Sequence, residues 1–266
     1  MSKKAIIIVL TGLLLCGCGE YQKVLKSTDP DYKYTKALEY YGVGKYTQAQ
    51  TLLEDIASYY RGTERSEDVL NLMARCTAGK KDYTGATEYY KIYLKNYPKG
   101  RYIIEARYMI GHCYYLNSPD ARLDQEDTKQ AIEYLGQFVD AYPDSPYAKQ
   151  AYDELEQMYD KLALKEYNNA KLYYNLGTYL GNNYEACAVT AQNALRKYPG
   201  NKYQEEFSWL ILKSKYEQVV RSVEERKAER AQDAIDECYN FLTEYPESSH
   251  RKETEKLQKE LRKITK

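Results

Sequence analysis

Four times in this chain a small residue sits 12 positions before a proline, and each proline follows a tyrosine. The pairs are Ala86 and Pro98, Ala131 and Pro143, Cys187 and Pro199, and Ala234 and Pro246. The tyrosines are Tyr97, Tyr142, Tyr198 and Tyr245. Self-similarity at a fixed interval marks a repeat protein. On a helix a small residue lets a neighbouring helix approach closely. Tyr90 and Tyr93, three or four positions apart after Ala86, share one helical face. Proline lacks an N–H and restricts the residue before it, so it stops the helix. Ala74, 12 residues before Ala86, supplies the small contact of a preceding helix. The unit is helix, short turn, helix, proline.

That unit is the tetratricopeptide pattern, and it predicts an all-α solenoid of about five helix-turn-helix repeats. Residues 31–61 form the first, with Ala37 and Ala49 again 12 apart. It ends in Tyr60-Arg61 without a proline, and Gly62 can terminate the helix instead. Residues 64–98 form the second. The third covers 101–143, with Gly111 in the small position and an eight-residue extension in the acidic loop Asn117 to Asp127. That loop reads as solvated, with a contact-bearing loop as the alternative. From Pro146 to Leu176 no strong breaker occurs, and Ala148, Ala151, Leu155, Met158 and Leu162 step at threes and fours. One helix of roughly 30 residues, near 45 Å, is expected, with Tyr184 to Lys197 returning. The fifth unit, Lys202 to Pro246, carries a charged insertion from Arg221 to Asp233. The tail from Ser248 reads as a capping helix with a solvated outer face. Domain expectations follow: repeats 1–3 over 31–143, repeats 4–5 and the cap over 144–266.

The amino terminus is of a different kind. Lys3 and Lys4 precede an apolar run, Ala5 to Leu15, too short to span a bilayer comfortably. The run ends in Leu15-Cys16-Gly17-Cys18, which resembles a bacterial lipobox. An aliphatic residue stands three before Cys18 and a small residue just before it. Residues 1–17 are expected to be a cleaved signal peptide, with Cys18 lipidated. Each buried CH₂ of an acyl chain contributes about 0.8 kcal/mol, so several chains on one cysteine would anchor the body to a membrane. Residues 18–30 would form a tether reaching roughly 40 Å when extended.

Composition narrows the function classes. A formal net charge of zero over 266 residues argues against a nucleic-acid partner. His112 and His250 are the only histidines, and a metal site would need about four ligands at suitable spacing. Cys76 and Cys113 occupy matching places in successive repeats, which suggests buried thiols. Disulfides are not expected among the four cysteines after Cys18, which are far apart in sequence, although an exported location permits them. There is no glycine-rich phosphate loop and no serine elbow. Carboxylates sit beside lysines three or four residues away, as on ordinary solvated helices. No enzyme, cofactor or metal site is expected.

Tyrosine is the compositional outlier, with 32 against 3 phenylalanines and 1 tryptophan. Stacked helix pairs present a concave face suited to peptides and partner domains. Tyrosine adds contact area there at low entropic cost. Adjacent pairs such as Tyr40-Tyr41, Tyr89-Tyr90 and Tyr114-Tyr115 place one ring inward and its neighbour about 100° around the helix. Tyr40, Tyr41, Tyr89, Tyr90 and Tyr114 are therefore candidates for a peptide groove, packing between helices being the alternative.

Taken together, the lipobox at Cys18 and five repeats resemble the BamD family, the tetratricopeptide lipoproteins of the β-barrel assembly (BAM) machinery of bacterial outer membranes. The segments carrying the resemblance are Tyr108-Met109-Ile110-Gly111 and Tyr142-Pro143-Asp144-Ser145-Pro146-Tyr147. Leu162 to Tyr167, Ala170 to Tyr174 and Leu195-Arg196-Lys197-Tyr198-Pro199 add to it. Two features depart from the family pattern: Tyr60-Arg61 in place of Tyr-Pro, and the long charged insertion Arg221 to Asp233. The resemblance implies a lipid-anchored scaffold on the periplasmic face of the outer membrane. It implies that the amino-terminal repeats meet unfolded outer-membrane proteins. The carboxy-terminal repeats would dock on the periplasmic domains of BamA, with other BAM subunits as further partners. The alternative is another envelope tetratricopeptide lipoprotein, tethering cell-wall enzymes or proteases; a nutrient-binding surface lipoprotein is a third class.

Overall fold

The computed structural model describes residues 19–265; Cys18 and the leader lie outside the described residues. Every regular element among the described residues is a helix. The order is α1 (residues 19–25), α2 (Pro30–Gly42), α3 (Tyr46–Ile56), α4 (Arg65–Gly79), α5 (Tyr83–Asn96) and α6 (Ile103–Asn117). Then come α7 (Glu126–Ala141), α8 (Ala148–Leu176), α9 (Asn183–Lys197), α10 (Gln204–Val220), α11 (Glu224–Glu244) and α12 (Arg251–Ile264). Five pairs, α2–α3 to α10–α11, are followed by α12, as the repeat pattern predicts. The long fourth-unit helix spans 29 residues.

The tyrosine before each proline ends its helix by one device. Tyr97, Tyr198 and Tyr245 have φ/ψ of −127/67°, −127/68° and −123/65°, outside the α region that a following proline disfavours. Each backbone N–H still donates to the carbonyl four residues back, at 2.8 to 2.9 Å, and Tyr142 does the same. Helix starts are capped where the sequence provides a short acceptor. Asp29 Oδ1 accepts from the N–H groups of Asp31 and Tyr32, Asp82 from that of Gly85, and Asn182 from that of Glu185.

The small positions are where helices meet. Ala37, Ala49, Ala74, Ala86, Ala131, Cys187 and Ala234 are all 0 % exposed. At Gly111 the approach is closer still. A Cβ there would lie 2.8 Å from the Leu135 side chain, so α6 and α7 meet where only glycine fits.

The packing divides into two compact units. Unit 1 runs to Ser118 and includes Gln130–Glu154; unit 2 comprises Pro119–Lys129 and Leu155–Lys266. Unit 1 holds two buried clusters, one around Leu52, Leu53, Val69 and Met73, the other around Ala86, Tyr90, Tyr93 and Ile110. Unit 2 holds a cluster around Ala170, Ala191, Phe207 and Ile211 and another around Trp209, Leu212, Ile235 and Phe241.

Two loop expectations change. The acidic loop is docked in unit 2: Gln125 is buried and its Nε2 donates to the carbonyls of Asp120, Leu123 and Asp124, while Lys165 Nζ on α8 donates to the Leu123 carbonyl at 2.8 Å. Asp120 and Asp124 themselves stay exposed. The charged stretch 221–233 is mostly helix, the first turns of α11. Its Glu, Arg, Lys and Ala are strong helix formers, and Glu224 and Glu225 complement the helix amino terminus.

Candidate functional site

The feature shared by both units lies at the junctions between repeats. Four residues after each Tyr-Pro proline stands a planar side chain: Tyr102, Tyr147, Tyr203 and His250. In the first repeat, where Arg61 replaces the proline, Arg65 takes that place. Each planar group meets the first helix of the preceding pair. The Arg65 guanidinium lies 5.1 Å from the Tyr34 ring centroid on α2. Tyr102 OH donates to Asp68 of α4 at 2.7 Å, and Arg75 of α4 lies 5.8 Å from its ring. Tyr147 stacks on Tyr108 of α6 at 4.9 Å and 10°. Within unit 2, Tyr203 stacks on Tyr167 of α8 at 5.7 Å, and His250 on Trp209 of α10 at 4.4 Å.

Charged rungs run beside these stacks. In unit 1, Asp31 pairs with Arg65, Asp68 with Arg101 at 2.7 Å, and Arg75 forks onto both carboxylate oxygens of Glu105, with Nε at 2.6 Å. Asp31 to Arg65 and Asp68 to Tyr102 each span 34 residues, one repeat in sequence. A bidentate Arg–carboxylate pair fixes geometry as well as adding energy. The last rung of unit 1 is the most buried. Glu154 Oε1 accepts from Tyr108 OH at 3.0 Å, from Gln150 Nε2 at 2.9 Å and faces His112 Nδ1 at 2.8 Å. Glu154 Oε2 is buried without a hydrogen-bond partner. In unit 2, Lys213 Nζ sits 4.4 Å from the Tyr174 ring and 5.3 Å from the Trp209 ring, a double cation–π contact.

The five candidate tyrosines fall in different places. Tyr41 is half-buried in the field of Arg75 and Glu105, and burial pushes its phenol up. Tyr90 is 0 % exposed beneath the same charges, with its hydroxyl unpartnered. Tyr40 packs edge-on against Tyr21 of α1 at 5.6 Å. Tyr89 packs toward α3, in the field of Glu54. Tyr114 stacks on Tyr134 of α7 at 5.5 Å and accepts from Lys91 Nζ at 3.1 Å. Tyr41 and Tyr90 thus adjoin the charged rungs, while Tyr89 and Tyr114 lie against second helices. The planar residue at each junction was the signal to read: an aromatic or arginine four residues past every repeat ending.

Beside the rungs, a hollow of about 560 Å³ is lined by Val69, Leu70 and Met73 with Arg61, Ser66 and Asn96 around them. Among the described residues of unit 1 the one acid–base pair stands beside no activated nucleophile. His112 and Glu154 make a base-and-orienter pair, but the adjacent Cys113 is buried and its thiol is pushed up to about 12, opposite to an activated nucleophile. Among the described residues no group of three or more His, Cys, Asp or Glu side chains could hold a metal. No described helix is long and apolar enough to cross a membrane.

The family described as YfiO, outer membrane lipoprotein, matches residues 26–181 and 176–265. The chain belongs to that family. A relative at 27 % identity over 250 residues, spanning 93 % of this chain and 79 % of its own length, is described as an outer membrane protein assembly factor BamD, from Aquifex aeolicus (strain VF5). Among solved structures, the TPR2AB domain of yeast Sti1 in its pHSP90 complex is similar, with a TM-score of 0.40 and 13 % identity. That likeness covers 88 % of this chain and 98 % of the other. YfiO membership makes this an outer membrane lipoprotein, and its helix pairs form the body.

Proposed function

We propose that this lipoprotein is a scaffold of the outer-membrane β-barrel assembly machinery, anchored through Cys18 on the periplasmic face. The observation that carries this reading is the relation to an outer membrane protein assembly factor over 93 % of the chain. The rungs of unit 1 suit the first half of the task. Half-buried rings with paired charges offer stacking surfaces and hydrogen-bond partners to an extended polypeptide, at little entropic cost. We assign client binding to the first-helix side of unit 1: Tyr34, Tyr41, Tyr102 and Tyr147, with Tyr40 toward α1 and Tyr90 as buried support. The hollow beside Arg61 adds an apolar floor next to a cation, which fits an apolar side chain beside a carboxylate. Tyr89, on α5 and turned toward α3, and Tyr114, on α6 and stacked toward α7, flank this side. We assign docking on the periplasmic domains of BamA to unit 2, with other BAM subunits as further partners.

Affinity purification from detergent-solubilised membranes tests the partner. BamA is expected to co-purify at near-stoichiometric yield. Recovery of a peptidoglycan enzyme or protease in its place would shift the reading to a tether for cell-wall enzymes.

A further inference from the structure

The outermost face of α12 is a row of lysines. Lys252, Lys256, Lys259 and Lys263 are spaced by four, three and four residues. At 100° per residue they fall within about 60° of one another. They stand opposite Thr254 and Leu261, which are buried, and Leu257 and Ile264, which pack on the unit 2 core. All four are exposed, and among the described residues none makes an ion pair or hydrogen bond. By contrast, exposed Lys149 pairs with Asp153 and exposed Lys129 with Glu126 along their own helices. On α12 glutamates stand three or four positions from these lysines, but Glu255 pairs with Arg251 and Glu260 accepts from the Tyr216 hydroxyl. The helix carries six basic against three acidic residues in a chain of zero formal net charge.

We propose that this row docks unit 2 on anionic phospholipid headgroups. The row is about 16 Å long and straight, with four flexible stems. It contains no apolar or aromatic anchor. Protein interfaces draw their energy from such anchors and are depleted in lysine at the core. A plane of lipid phosphates needs only charge and reach, which clustered lysines on an amphipathic helix supply. Membership in an outer membrane lipoprotein family keeps the body beside such a plane. The proposal does not depend on the assembly role.

The test uses the unacylated body from Gly19 to Lys266, which holds every described helix. Its binding is measured to vesicles of phosphatidylcholine alone and to vesicles with roughly one third phosphatidylglycerol. Each lysine near an anionic surface is worth about fivefold in partitioning. After screening at about 0.1 M salt, roughly twentyfold loss is expected on combining Lys252→Gln, Lys256→Gln, Lys259→Gln and Lys263→Gln. The same four positions changed to arginine should retain binding. Thermal melting of both variants should match the parent, since the row faces away from the core. Absence of binding to the anionic vesicles, equal binding to the neutral ones, or full binding by the glutamine variant overturns the proposal. Capture of soluble poly-glutamate without vesicle binding also overturns it, and assigns the row to an acidic protein.

Discussion

Replacing Glu154 with alanine is expected to lower stability by about 3 kcal/mol, the loss typical of a broken buried charged network. Glu154 is 4 % exposed, and one of its oxygens serves Tyr108, Gln150 and His112 together. Alanine would strand the Tyr108 hydroxyl, in a residue only 3 % exposed, and unhook α6 from the start of α8. Alanine's better helix propensity returns only a few tenths of a kcal/mol. For a chain of this size the melting transition should fall by roughly 5–10 °C. Glu154→Gln keeps the shared acceptor oxygen, because the other oxygen has no partner to lose. It should cost less than half as much. Calorimetry of the two variants decides: equal, negligible shifts would mean that this rung does not join the helices.

Alkaline pH should destabilise the body once the ordinary thiol range is passed. Burial pushes the thiols of Cys76, Cys113 and Cys238 up to about 12 from an ordinary value of 9.0, and raises that of Cys187. A raised value in the folded state means that folding favours the protonated thiol. Its contribution is complete below about pH 9 and is lost as pH rises from there toward 12. At pH 10 each of the three loses about 1.4 kcal/mol, so together they remove roughly 4 kcal/mol. Urea unfolding at pH 8 and pH 10 measures this directly. The combined variant with alanine at the three positions should lose roughly 4 kcal/mol less over this interval, the remaining effect belonging to phenols such as Tyr90, Tyr93 and Tyr108, which burial also pushes up. A parent protein equally stable at both values would show that these thiols ionise as readily folded as unfolded. Among the described residues the free cysteines, Cys76, Cys113, Cys187 and Cys238, are all buried, in four different helices.

What the sequence disclosed and withheld follows from where each signal resides. The Tyr-Pro endings and the small residue 12 positions earlier act within one helix pair, so a linear pattern captures them. The structure then shows Tyr97, Tyr198 and Tyr245 in nearly one conformation. The rungs act between pairs. Tyr147 meets Tyr108 across 39 positions, and only the register imposed by the intervening helices brings them together. Tyrosine pairs within helices looked like the groove because adjacent rings diverge around the axis. The structure instead puts Tyr89 and Tyr114 against second helices and sinks Tyr90 completely. Charge misled at 221–233, where a solvated helix face reads like an insertion. At the acidic loop Asp120 and Asp124 are solvated, while the neutral Gln125, which charge does not flag, holds the turn.

Photo-crosslinking from the proposed client face tests the central claim most directly. A photoreactive residue at position 102 of the full lipoprotein, presented with an unfolded outer-membrane protein, is expected to give strong adducts. A residue at position 92, exposed on the second helix α5, should give few. Alanine at Tyr40 or Tyr41 should weaken the adduct from position 102 without lowering the melting temperature appreciably. Equal labelling from positions 92 and 102, or labelling from 92 alone, would contradict a client-gripping first-helix side.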